Sequence, residues 1–219
     1  KKTIFTEIKA PSISQAAYRF LLSKKNLPPI FSQNNINLFF GRGRHFVTYP
    51  TGNEDMINFV FCKREKSHLV NDWKEKVTKQ QFFKDFELNE CLRICLPNVK
   101  TIYRWPIIES EIPSEIHKKN VVLVGDAAHG MLPYLAQGAN KALEDSWELA
   151  NYIKTYPLDL KKGLKKYSKK RIKRIQKLDQ VSRLNEKIYH LDQKVLRAIF
   201  LFFLRFMIRL APRSFFKRL

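Results

Sequence analysis

Across residues 1–70 the apolar positions come in short runs bounded by turn residues. Tyr18-Arg19-Phe20-Leu21-Leu22, residues 36–40, residues 46–49 and residues 57–61 are each of strand length. Several of them alternate apolar with polar, which predicts antiparallel strands. The bend Gly41-Arg42-Gly43 and the turn-rich segment 50–55 supply hairpin connections. Several antiparallel strands in a row suggest one face of a sheet that shelters a ligand. From 71 to 98 the spacing becomes helical. Trp73, Val77, Phe82, Phe83 and Phe86 fall near one helical face, residues 92–96 continue it, and Pro97 ends the run. Residues 102–108 then read as a short strand at an edge or a crossing, because Pro106 lies inside it.

After a polar connector at 109–120 the pattern changes again. Four apolar residues, Val121 to Val124, read as a buried strand and run into Gly125-Asp126 and a loop of small residues. A helix opens near Gly138 and continues to Ile153, with Leu143, Trp147 and Leu149-Ala150 as its apolar positions. Strand, acidic turn, loop and helix in that order is how an α/β protein holds a nucleotide at the carboxyl end of a sheet. Pro157 breaks the chain. Residues 195–210 are strongly apolar but interrupted by Arg197, Arg205 and Arg209, too short and too charged for a simple span. Internal packing, a protein interface or a membrane surface would each suit this tail.

Composition narrows the classes. Hydrophobic residues make up 44%, enough for a real core, so global disorder is excluded. Cys62, Cys91 and Cys95 suit neither a disulfide framework nor a zinc site, and Cys91 and Cys95 share a face of a short helix. They read as buried small hydrophobes in a reducing cytoplasm. The net charge is +21, and residues 161–177 hold ten basic residues in seventeen with no acid. With Leu164, Tyr167, Ile172 and Ile175 as an apolar stripe, this is a basic amphipathic helix. Its charge reads as a solvated surface rather than a specific nucleic-acid site, and it leaves a peripheral membrane contact open.

Residues 121–150 resemble the flavin-dependent aromatic hydroxylases, the single-component FAD monooxygenases of the salicylate and hydroxybenzoate hydroxylase kind. That family's pattern is a strand followed by G-D-A-A-H-x-M-x-P-x-x-x-Q-G-x-N-x-x-x-E-D-A. Here Ser146 stands where Ala is usual, and Gly130 follows His129 where Pro or Ala is common. A second match, G-x-G-x-H-x-V-x-Y-P, is visible as Gly41, Gly43, His45, Val47, Tyr49 and Pro50. It belongs to the family's substrate domain and lies in the family's order. The family's opening G-x-G-x-x-G turn and its later Asp-Gly motif are missing, and the chain opens on Lys1-Lys2-Thr3 without a Met. The expectation is therefore roughly the C-terminal half of a longer enzyme.

The resemblance implies an α/β enzyme, α+β within this stretch. An antiparallel substrate domain at 1–108 would be followed at 109–156 by the last strand and helix of a Rossmann-like FAD-binding domain. Basic and apolar helices would occupy 157–219. Strand 121–124, without its parallel neighbours, would expose an edge. The implied reaction is a monooxygenation: NADH or NADPH reduces FAD, O₂ is the oxidant, and one oxygen atom enters a small aromatic compound. The missing part would come from the same protein or a partner chain. A non-enzymatic remnant, or a membrane-associated hydroxylase of a quinone precursor, are the alternatives.

Site residues follow from the resemblance and from the local chemistry. Gly125 and Asp126 would let a ribityl hydroxyl approach a carboxylate at a turn of small residues. Gln137, Gly138, Ala139 and Asn140 would put free N–H groups and a helix dipole beside the flavin's N1 edge. Pro133 would shape a dry pocket beside flavin and substrate. His129 reads as structural. Glu144 and Asp145 would cap or face solvent. Arg19, His45 and Tyr49 could bind a carboxylate or phenol. No metal site is expected, since the flavin supplies the chemistry.

Overall fold

The computed structural model describes residues 5, 12–52, 55–65, 74–85, 90–191 and 193–210. The first half holds β1 (Ser12–Ser23), α1 (Pro29–Ser32), β2 (Asn37–Gly41), β3 (Arg44–Pro50), β4 (Met56–Arg64), β5 (Glu75–Val77), α2 (Lys79–Asp85), α3 (Glu90–Cys95) and β6 (Ile102–Glu109). The second half holds β7 (His117–Lys118), β8 (Val121–Val122), α4 (Asp126–His129), α5 (Gly138–Thr155), α6 (Leu160–Tyr189) and α7 (Lys194–Leu210). Among the described residues the strands form one antiparallel sheet in the order β2-β3-β4-β1-β6-β5, and a short ribbon of β7 with β8.

Period-two alternation gives the sheet two different faces. Tyr18, Phe20 and Leu22 of β1 pair across from Phe61, Phe59 and Ile57 of β4. All six are buried, and they share their side with Phe31, Phe82, Leu92 and Cys95 from the helices above. Phe20 stacks on Phe59 with ring centroids 5.1 Å apart, and Phe39 stacks on Phe46 at 4.1 Å. Phe82 meets Phe61 edge-on at 5.1 Å. Such pairs add about 0.5–1.5 kcal/mol each to the gain from burial. The hairpin between β2 and β3 turns at Arg42-Gly43, where Gly43 takes φ 60° at no steric cost.

Ala17, Cys62 and Ile107 face the other way, where Leu132, Tyr134 and Tyr189 pack on them. Burial pushes the Cys62 thiol up to about 12, so it is an inert core group; Cys95 is likewise buried. The expected strands are therefore present, extended by a few residues at their ends. Pro106 sits in β6, which is inside the sheet rather than at its edge. Among the described residues β5 pairs with β6 only from Ile102 to Arg104, so Pro106 meets no described partner strand on that side.

Other expectations are corrected. The helix expected over 71–98 is a strand at Glu75–Val77, then α2 and α3; Trp73 and Phe86 lie outside the described residues. Thr78 and Gln81 form a capping box: Gln81 N donates to Thr78 Oγ1 (3.2 Å) and Thr78 N donates to Gln81 Oε1 (2.9 Å). That reciprocal pair starts the helix at residue 79. The buried strand at 121–124 is two residues long and paired antiparallel to β7, with Val121 and Val124 both 38% exposed. Helix α5 forms as expected from Gly138, but Leu143 and Trp147 are exposed while Lys141 and Asp145 are buried. The basic helix reaches Tyr189, well past residue 177. Helix α7 touches β2 through Phe200 and Phe40, while Phe202, Phe203 and Phe206 are exposed. No described helix is long and apolar enough to cross a membrane.

Candidate functional site

The turn after β8 is built around Gly125. Its φ of 56° and ψ of −143° suit glycine alone, and a Cβ there would stand 3.3 Å from Ala142 Cβ. Its amide points inward and donates to Asp145 Oδ2 at 2.8 Å. The next residue, Asp126, is exposed and opens the single helical turn α4.

Asp145 holds this turn from behind. Expected at the surface beside Glu144, it is fully buried. His129 Nε2 lies 2.6 Å from its Oδ2, and Arg171 Nε donates to its Oδ1 at 2.7 Å. A carboxylate only accepts, so His129 carries its proton on Nε2. Burial works against the charged carboxyl. The hydrogen bonds from His129 and Gly125, with Arg171 behind them, outweigh it and hold Asp145 below its usual range. Arg171 is buried too, and its Nη1 donates to Glu144 Oε2 at 2.9 Å. Helix α5 therefore turns its ionic positions inward, because α6 brings the matching cation to that side.

Helix α6 continues as a strut along the whole segment. Ser168 Oγ accepts from Ile116 N at 3.1 Å, next to the ribbon. Ser182 Oγ donates to Leu132 O at 2.8 Å, and Asn185 Nδ2 donates to Tyr134 O at 3.2 Å. The Tyr134 hydroxyl donates to Gln15 Oε1 of β1, and Gln15 Nε2 donates to Glu186 Oε1 at 2.8 Å. The loop between His129 and Gln137 is thus tied to both the helix and the sheet.

The expected ligand residues lie on the open side of this frame. Asp126, Pro133, Gly138, Ala139 and Asn140 are exposed and Gln137 is half-buried. Apart from its chain neighbours and its own helix backbone, no described atom lies within 4 Å of where a Gly138 Cβ would be. The Gln137 side chain does not cap the start of α5, so among the described residues its first N–H groups can meet an anion. The structure leaves these residues accessible at the surface. His129 is buried, as its structural reading required.

A second concave region lies on the reverse face of the sheet. A cavity of about 1020 Å³ is lined by Arg19, Tyr49, Asn58, Lys100, Tyr103 and Trp105 among others. Asn58 Nδ2 donates to Tyr49 Oη at 2.6 Å. Arg19 and Tyr49 are therefore together, as their strand positions allowed. His45 is not with them. It is buried with its Nδ1 2.8 Å from His190 Nε2, and burial together with His190 pushes its pKa down to about 3.

Sequence reasoning missed the Asp145 lock and the role of α6. The signal was present in Tyr167 to Arg171 and in the Glu144-Asp145 pair, but it needs the helix–helix contact to be read.

Residues 20–182 match the family described as FAD binding domain. A 3-hydroxybenzoate 6-hydroxylase of Polaromonas naphthalenivorans is 30% identical over 177 residues, covering 79% of this chain and 43% of its own length. The 3-amino-4-hydroxybenzoate 2-monooxygenase PtnB3 of Streptomyces platensis is 25% identical over 175 residues, covering 80% and 44%. Among solved structures, a salicylate hydroxylase substrate complex superimposes with a TM-score of 0.74 at 22% identity, covering 85% of this chain and 50% of that one. HpxO of Klebsiella pneumoniae, complexed with FAD and uric acid, gives 0.72 at 19% identity, covering 91% and 51%. The chain spans about half the length of the relatives it matches. It belongs to the FAD binding domain family.

Proposed function

We propose that this chain is the substrate-binding and flavin-closing part of an NAD(P)H-dependent monooxygenase that hydroxylates a small aromatic compound. One observation carries the reading most: the Gly125–Asp126 turn is locked from behind by Asp145, His129 and Arg171 while its front is left exposed. A turn built that way suits a ligand approaching its backbone. The residues fit FAD. Gly125 allows close approach, Asp126 offers a carboxylate to ribityl hydroxyls, and the uncapped start of α5 at Gly138, Ala139 and Asn140 offers N–H groups to the anionic edge of a flavin. Gln137 and Pro133 complete the proposed site. When bound, FAD supplies hydride acceptance from NADH or NADPH and the activation of O₂.

The chain's own work is binding, orientation and exclusion of water. The cavity with Arg19, Lys100 and Tyr49 fits an aromatic acid: cations meet a carboxylate, and Tyr103 and Trp105 give an apolar wall to a ring. Pro133 would close the side nearer the flavin. We place the substrate part at 1–108, the flavin-closing part at 109–156 and the helical part at 157–219. These boundaries are drawn beside the ends of β6 at Glu109 and α5 at Thr155. The remaining FAD site comes from the rest of the same protein or from a partner chain. The buried thiol of Cys62 suits a reducing cytoplasm.

The test begins with the native gene product, by intact mass and by its bound flavin. A mass well above that of 219 residues, with FAD released on denaturation, supports the reading. Asp126→Ala is then expected to weaken FAD binding about tenfold or more, and a panel of hydroxybenzoates and salicylate to accelerate oxidation of NADH or NADPH. A native product that takes up no flavin, with or without a partner, sinks it.

One observation favours a membrane-peripheral form of the same enzyme: the exposed Phe202, Phe203 and Phe206 of α7, in a chain of net charge +21. Co-sedimentation with anionic vesicles that persists after replacing Arg197, Arg205 and Arg209 would show insertion. Absence of binding to any vesicle would remove this form.

A further inference from the structure

Tyr49 of β3 and Asn58 of β4 are directly opposed in the sheet and line the same cavity. Asn58 Nδ2 donates to Tyr49 Oη at 2.6 Å. A phenol has one proton to give and lone pairs to receive with. The amide takes the receiving side, and among the described residues Tyr49 Oη makes no other hydrogen bond. Its O–H is therefore left to donate, and a phenol that already accepts a bond donates more strongly. The neighbours set what it can donate to. Leu21 of β1 is opposed to Asn58 on its other side and is 51% exposed. Arg19, two residues away and on the same face of β1, is opposed to Tyr103 of β6. Lys100 lines the cavity as well, and the described lining includes no acid. The cavity thus offers two cations, an apolar floor at Leu21 and one directed O–H.

We propose that Asn58 is a specificity-determining residue of this cavity: it holds the Tyr49 hydroxyl with its proton outward, so that the site selects aromatic acids bearing a ring oxygen that accepts it. This rests on the reading of the cavity as the aromatic-acid site, and names the feature that the site reads. Arg19 and Lys100 take the carboxylate, the ring lies over Leu21, and Tyr49 donates to the ring oxygen. Arg19 and Tyr49 stand on strands separated by β4, so their backbones are about 10 Å apart across the sheet. Two long side chains reaching over that span meet the two ends of one substituted ring. Asn58 acts through Tyr49 and is a positioning residue. A merely structural cross-strand pair predicts something else: its loss would lower stability and weaken every aromatic acid alike, with or without the ring oxygen.

The experiment uses the complete native protein and reads, by calorimetry, its affinity for salicylate, 3-hydroxybenzoate, 4-hydroxybenzoate and benzoate, the last lacking the ring oxygen. The readout is the affinity for the best hydroxybenzoate divided by that for benzoate, because a change acting on the carboxylate or the ring cancels in it. Asn58→Leu removes the donor and lets the Tyr49 hydroxyl rotate, and the ratio is expected to fall about threefold. Asn58→Asp leaves only acceptors, which capture the Tyr49 proton and turn its lone pairs to the ligand; the ratio is expected to fall about tenfold. In a Tyr49→Phe background the ratio is already low, and neither Asn58 substitution lowers it further. Leu and Asp differ in polarity, so one of them supports a folded protein even where the other does not. A ratio that stays at the wild-type value, or that falls as far in the Tyr49→Phe background as outside it, would overturn the inference. A wild type that binds hydroxybenzoates no better than benzoate would overturn it too, while leaving the cavity an aromatic-acid site. A wild type that binds none of the four would overturn that reading, and this one with it.

Discussion

The two sides of this molecule are held by different physics. On one face of the sheet Phe20, Phe46, Phe59, Phe61 and Phe82 make a core by burial and ring packing. Across the segment from β8 to α6 a smaller apolar cluster of Ile116, Ala128 and Tyr167 is joined by buried ionic groups: Asp145, Arg171, His129 and Lys141. Burial has no direction, and it is enough to close a sheet. A glycine turn whose front must stay open cannot be held that way, because the apolar atoms that would hold it would also fill the site. Directional bonds from behind do the work instead. The difference teaches where a ligand is expected: opposite the lock, not opposite the grease.

Removing the lock is expected to have the largest effect. Asp145→Ala leaves Arg171 and His129 buried without their acceptor, and should cost about 4 kcal/mol of stability. The midpoint of urea unfolding measures it. The comparison sharpens with the pair removed together. Asp145→Leu combined with Arg171→Met should recover much of that loss, yet still release the Gly125 turn, so stability returns while FAD affinity does not. On the aromatic side, Phe82→Ala should cost about 3 kcal/mol through the cavity it leaves. That loss should be the same at low and high salt, and FAD affinity should not change. A salt-dependent loss at Phe82, or a retained flavin site in the double variant, would break the contrast.

The next effect is a slope with pH. His45 titrates at about 3 in the fold, against about 6.5 for an unfolded histidine. A folded value below the unfolded one means the unfolded chain binds the extra proton. Stability is therefore complete above about pH 6.5 and falls as pH drops toward 3, by at most about 1.4 kcal/mol per unit from this group. Asp145 acts in the same direction but lower, because its carboxyl is held below its ordinary value; its share is lost only as pH falls below about 4. Unfolding midpoints measured between these limits separate the two. His45→Gln should flatten the upper part of the curve and leave the lower part, and an unchanged upper slope would assign it to other groups.

Much of this was legible in the sequence, for physical reasons. Alternation between apolar and polar residues is local, so β1 to β4 could be read from their own residues. The expected ligand residues Gly125, Asp126 and Gly138 were legible because glycine and a short acid at a turn have few other uses together. Residues 71–98 misled because Val77 and Phe82 have helical spacing by coincidence, while the capping box at Thr78 and Gln81 marks the true start. Leu143 and Trp147 misled more deeply. On their own helix they look like the core face, and the burial of Asp145 depends on Arg171, 26 residues away. Nothing local to α5 encodes that.

The smallest effect tests whether the ionic side depends on its charge in bulk or on particular ions. Lys165, Lys169 and Lys173 are exposed on α6, on the same helix as the buried Arg171. Replacing each with Gln should change stability by about 0.5 kcal/mol or less, since exposed lysines away from caps and locks contribute little. The sign may be worked out from the surroundings: with ten basic residues between 161 and 177 and no acid, removal of like charge should stabilise slightly, and most at low salt. A triple replacement read by thermal melting at two salt concentrations decides it. A gain that shrinks with salt leaves the fold resting on Arg171 alone among the basic residues of that stretch that face Asp145. A loss of several kilocalories would mean that the stripe itself is structural, and that the division between a lock behind and a solvated face in front is drawn in the wrong place.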